Sequence, residues 1–82
     1  MRTIGLLGGM SWQSSVSYYQ GINVEVQRRL GGLNSAKLLL KSVNFSSIEQ
    51  LQHQGDWHQL ATLLTNEARD LERGGAQGLV IC

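Results

Sequence analysis

The chain has no proline, one cysteine and two histidines among 82 residues, and each shortage removes a class of explanation. A single cysteine cannot close an internal disulfide. With no Cys or His pair at ligand spacing no metal is expected, and a lone thiol fits a reducing, cytoplasmic setting. No stretch nears the roughly 20 apolar residues that cross a bilayer. Gly8-Gly9 also interrupt the apolar run after Leu7 before it can form the core of a secretory leader. A membrane partner is therefore not expected. The seven basic residues are scattered and the net charge is +1, so the basic stripe of a nucleic-acid binder is missing. Arg28-Arg29 read as a solvated helix end. Repeats, low-complexity tracts and linkers are missing too, which leaves one domain or one part of a domain. At this length a fold buries only about 60–65% of the surface its unfolded chain exposes, so its stability leans on partners.

What is present is an alternation of short apolar runs and amphipathic stretches. Arg2 to Leu7, bounded by Gly8-Gly9, has the length and composition of a buried strand. Ser11, Ser14 and Ser15 offer N-caps for a helix from about Gln13 to Leu30, with Val16, Tyr19, Ile22 or Asn23, Val26 and Leu30 as its buried stripe and Gly31-Gly32 as its stop. Ala36 to Val43 is nearly continuous in its apolar centre, as expected for a strand covered on both faces. A short helix around Ser47 to Gln52 follows. Asp56 then caps a helix whose stripe is Leu60, Leu63, Leu64, Ala68 and Leu71, stopped by Gly74-Gly75. Gly78 to Cys82 is a third strand. The order β-α-β-(short α)-α-β predicts an α/β fold with a parallel sheet and helices packed on it. Three strands make a narrow parallel sheet, so something is expected to complete it.

The turn after the first strand carries the best candidate chemistry. A strand, a glycine turn and a helix together aim backbone N–H groups and the positive end of a helix dipole at an anion. The spacing Gly5-x-x-Gly8-Gly9 is not the dinucleotide G-x-G-x-x-G, and the second strand ends in Val43-Asn44 rather than an acid. No Gly-Lys pair exists for a P-loop. A smaller anion such as a carboxylate remains, beside the alternative of a tight turn with no ligand. Met10 and Trp12 sit where ligands bind in open parallel sheets, or pack under the loop. Tyr19 is expected in the core, Tyr18 beside it, and Trp57 as a packing anchor. His53 and His58 are expected to be solvated. Cys82, at the carboxyl end of the third strand, is either a reactive thiol or an inert buried one.

With these residues in view, the chain resembles the aspartate/glutamate racemase family, in its branch that works without pyridoxal phosphate. The similar segments are Gly5 to Trp12, Tyr18-Tyr19 through Ile22-Asn23, Arg29 to Leu33, Ser42 to Phe45, Ile48-Glu49, Gly55 to Trp57, and Gly75-Ala76 leading into Leu79 to Cys82. They run through essentially all of residues 1–82. The resemblance implies two similar α/β halves with the active site between them, each supplying one acid–base residue, usually a cysteine. This stretch then corresponds to a partial three-layer βαβαβ unit, the first part of the first half, inactive by itself and prone to self-association or to joining a completing chain. In the family the first-half cysteine follows the third strand, and counting from Gly75-Ala76 places it one residue after Cys82. A one-residue slip makes Cys82 the thiol itself; both registers stay open, and the one that makes Cys82 the neighbour of the catalytic residue is preferred.

The implied reaction is a two-base racemisation of an acidic amino acid, aspartate or glutamate, with no cofactor. One group removes the α-proton from one face and a second delivers a proton to the other. Backbone N–H donors at the substrate carboxylate receive the charge that develops. Gly9, Met10 and Ser11 are the expected cradle, and Gln52, in the loop after the second strand, the expected polar contact to the carboxylate. Two other readings stand beside this one: a carboxylate-binding or interaction module without chemistry, and an isomerase or decarboxylase of a dicarboxylic acid lacking an amino group.

Overall fold

A computed structural model describes residues 1–82 as β1 (Ile4–Gly8), α1 (Trp12–Leu30), β2 (Leu38–Ser42), α2 (Phe45–Gln54), α3 (Trp57–Arg73) and β3 (Gly78–Ile81). The three strands form one parallel sheet in the order β2-β1-β3. Strand β1 is therefore central. Its Leu6 and Leu7 are 0% and 1% exposed and anchor the two faces, each worth about 1.5–3 kcal/mol of burial.

The chain steps from β1 to one side for β2 and then crosses to the other side for β3, so right-handed crossovers put α1 and α3 on opposite faces. The pleat of β1 records this. A Cβ on Gly5 would meet Leu71 Cβ at 3.4 Å and Ala76 Cβ at 3.0 Å, on the α3 side, whereas one on Gly8 would meet the side chain of Ser15 in α1. Three layers result, α1 over the sheet over α3.

The α3 face is built as its sequence predicts. Asp56 Oδ1 accepts from Gln59 N (3.2 Å) to cap the helix; Leu60 and Leu71 are buried, and Leu63, Leu64 and Ala68 are half-buried. Strand β2 adds a polar tie. Lys41 Nζ donates to Asp70 Oδ2 (2.5 Å) and lies 2.7 Å from Glu67 Oε2, a charge contact without hydrogen-bond geometry. The preceding α2 is longer than the predicted short helix, because Asn44 Oδ1 caps it from Ser46 N (3.0 Å) and Gly55 closes it in a left-handed conformation. Ile48 is its buried residue.

The α1 face departs from expectation. Ser15 is the buried residue of α1, while Val16 and Tyr19 are 55% and 52% exposed, and Leu30 is exposed as well. A three-stranded sheet is about 10 Å wide, roughly one helix diameter, so the outer half of the stripe finds nothing to pack on. Strand β2 is likewise not covered on both faces; it is an edge strand whose Leu40 is 47% exposed beneath α1. Trp57 is no packing anchor either. As the first residue of α3 it projects from the helix end and is 63% exposed. Arg28 and Arg29 do form a solvated helix end, and together hold the exposed Glu25 carboxyl down to about 2. No helix is long and apolar enough to cross a membrane.

Candidate functional site

At the carboxyl end of the sheet three chain segments meet around the β1–α1 turn. Gly8 O accepts from Val43 N (2.8 Å), just past β2, and Leu7 O accepts from Cys82 N (2.9 Å), just past β3. Gly9 lies between them, buried, with φ +97°. A Cβ there would run into Val43 O, reach 2.5 Å from Val43 N and 2.8 Å from Ser42 Oγ. Glycine is thus required twice, by the positive φ and by the backbone pressed against it.

The amide of Gly9 is not free. It donates to Ser15 Oγ (3.2 Å) inside the protein, and Cys82 Sγ lies 3.8 Å from the same oxygen. Of the donors expected in the cradle, the Gly9 amide is thus engaged within the chain. The amides that donate to no group of the chain are the next four, Met10, Ser11, Trp12 and Gln13. Met10 precedes α1, Ser11 is its N-cap, and Trp12 and Gln13 open it, where the first N–H groups lack intrahelical partners and the helix dipole is positive. Met10 is half-buried beside Gly9, and Ser11 is exposed. Ser11 is the N-cap by backbone only; its C=O accepts from Ser14 N and Ser15 N, and its hydroxyl makes no cap bond.

Gln52 is placed differently. It lies in the last turn of α2, with its side chain exposed and its carbonyl accepting from Gly55 N (3.0 Å). No hydrogen bond joins it to the turn, and α2 packs on α3. Ser15 is the residue that sequence reasoning missed, having considered it for capping alone. It is the fourth residue of α1, and a helical side chain leans toward the N-terminus, so a hydroxyl there points back at the turn. Beside it, Trp12, Val16, Tyr19, Leu40 and Ser42 line an open apolar groove of about 350 Å³.

The groups with displaced ionisation stand away from this turn. Glu25 and Arg28 pair on the surface of α1, and Lys41 and Asp70 pair between β2 and α3. They are structural ion pairs. What the turn offers is a set of unused backbone donors, a buried hydroxyl and a thiol, an arrangement suited to receiving a carboxylate next to a strand end.

The sequence profile of the Asp/Glu/Hydantoin racemase family matches residues 7–82. The chain belongs to that family. Among solved structures, this racemase-family chain is similar to one titled "putative Asp/Glu Racemase" from Yersinia pestis, with 52% identity and a TM-score of 0.98 over 100% of this chain. It is also similar to an aspartate racemase homologue from Pyrococcus horikoshii OT3, with 29% identity and a TM-score of 0.79 over 99% of this chain. The chain spans 36% and 35% of the lengths of those two proteins.

Proposed function

We propose that this chain forms the carboxylate-receiving part of a racemase that inverts the α-carbon of an acidic amino acid, aspartate or glutamate, without pyridoxal phosphate or another cofactor. The observation that carries the reading is the βα turn in a chain of this family: Gly9 with a positive φ, followed by four amides leading into α1 that have no partner in the chain. Removal of the α-proton breaks the C–H bond and leaves its electron pair delocalised onto the carboxylate. Donors already aimed at the carboxylate oxygens lower the energy of that state without reorganising. Return of a proton to the opposite face restores the carbon with inverted configuration. The two proton carriers are one group at the end of β3, either Cys82 or the residue after it, and a second in the part of the relatives' length that has no counterpart here. The 82-residue stretch by itself is then inactive. The exposed edges of β2 and β3, with Leu40, Leu79 and Ile81 open to solvent, suit it for self-association or for a completing chain.

Incubating the full-length protein that contains this stretch with L- or D-aspartate and glutamate in D₂O tests the reading. Deuterium should enter at Cα and the enantiomer ratio should move toward equality, with no cofactor added. Binding of the amino acid without exchange would replace the enzyme by a carboxylate-binding module. Turnover of a dicarboxylic acid lacking the amino group, with none of aspartate or glutamate, would point to a different isomerase or a decarboxylase.

A further inference from the structure

Ser15 stands out as a polar side chain in an otherwise apolar interior. It is 3% exposed, the one buried polar side chain of the molecule, in a helix that buries nothing else. Its hydroxyl accepts the Gly9 N–H at 3.2 Å, and the Cys82 thiol approaches the same oxygen at 3.8 Å. We infer that Ser15 is a positioning residue: its hydroxyl fastens the Gly8-Gly9 turn to α1 and to the end of β3, and so sets where the Met10 and Ser11 amides receive the substrate carboxylate. The role of those amides rests on the racemase reading above. The fastening itself does not.

The chemistry of a hydroxyl suits this double attachment. It offers one hydrogen and two lone pairs, so one lone pair can hold the Gly9 amide while the hydrogen stays free to rotate. Toward a neutral thiol the oxygen accepts, and toward a thiolate the O–H donates. The contact to the end of β3 therefore survives either state of the sulfur. Gly8 makes the approach possible, because any side chain there would collide with Ser15. Without the hydroxyl, the Gly9 N–H stays buried with no acceptor. That cost favours a rearranged turn.

The test compares wild type, Ser15→Ala and Ser15→Thr in the full-length protein. Threonine keeps the hydroxyl and can send its methyl group into the open groove that Ser15 helps to line. In Ser15→Ala, hydrogen exchange of the Gly9 amide should accelerate by about fivefold or more relative to other buried amides, and Ser15→Thr should stay within about twofold of wild type. For racemisation, kcat/KM on aspartate or glutamate should fall about tenfold in Ser15→Ala, mostly in kcat, and recover in Ser15→Thr, because the donors act on charge that develops in the transition state. Unchanged Gly9 exchange in a folded Ser15→Ala overturns the fastening. Accelerated exchange with unaltered kcat and KM overturns the positioning role. Wild-type protein that exchanges no α-proton overturns the racemase reading instead, and the Gly9 exchange rates still decide whether Ser15 holds the turn.

Discussion

The two faces of the sheet are finished in different ways. On the α3 side Leu60 and Leu71 bury an apolar stripe, Gly5 lets the helix come close, and Lys41 ties β2 to Asp70 and Glu67. On the α1 side Leu6 of β1 is buried, but the helix itself buries only a hydroxyl, Ser15, and its apolar residues Trp12, Val16 and Tyr19 stay open beside Leu40. One face is closed by packing and the other by a polar fastening at the turn that carries the candidate site. The better-packed helix and the candidate chemistry therefore sit on opposite sides of β1, with Leu6 and Leu7 of the strand buried on either face.

The sharpest way to break this contrast is Gly9→Val. A β-branched residue at φ +97° with its Cβ against the Val43 backbone should cost about 3 kcal/mol or more, or prevent folding, as read from urea unfolding. A Gly9→Val protein with wild-type stability and turnover would remove the close-packed turn from the account. Leu71→Ala tests the closed face, with an expected loss of about 2–4 kcal/mol from a buried leucine; a loss below about 1 kcal/mol would mean that the α3 face is no better packed than the α1 face.

The ion pair gives a smaller, pH-dependent effect. The hydrogen bond from Lys41 holds the Asp70 carboxyl below its ordinary value, so the folded state binds that proton less readily than the unfolded one. The stabilisation is complete above the ordinary carboxylate value of about 4 and fades as pH falls through the lower folded value. The Lys41 ammonium is shifted up by Asp70 and then Glu67, so its half of the same linkage is present below about 10.4 and fades as pH rises beyond it. Denaturation midpoints across pH should show a shallower acid limb for Lys41→Met than for wild type, and parallel limbs would mean that the pair is indifferent to folding. Least of all, Tyr19→Gln should change stability by no more than about 0.5 kcal/mol in this chain, since the ring is already half in water. A larger loss, growing with protein concentration, would show that the α1 groove is covered by association.

How far the sequence could be read follows from the range of the interactions involved. The α3 helix was legible because its cap, stripe and stop lie within its own residues, Asp56 to Gly74. The Gly8-Gly9 turn was legible as a turn and as a place for an anion. The use of the Gly9 amide by Ser15 was not, since a first-turn serine reads equally well as a cap. Tyr19 and Val16 were misplaced because periodicity marks the apolar side of a helix without saying how much sheet lies beneath it. Helix α2 runs beyond the short stretch legible around Ser47 to Gln52, as the Asn44 cap and Gly55 stop lengthen it at both ends.

By itself, then, the sequence determined the order and type of the elements, the cap of α3, the stops of α1 and α3, and membership of a family through motifs spread along residues 7–82. These depend on neighbours a few residues apart, whose propensities and hydrogen bonds act locally. Only the tertiary structure decided that β1 is central, that α1 and α3 take opposite faces, and that Gly9, Ser15 and Cys82 converge. Cys82 and Ser15 are 67 residues apart in the chain. Their meeting is set by strand pairing and crossover handedness, which no local pattern encodes.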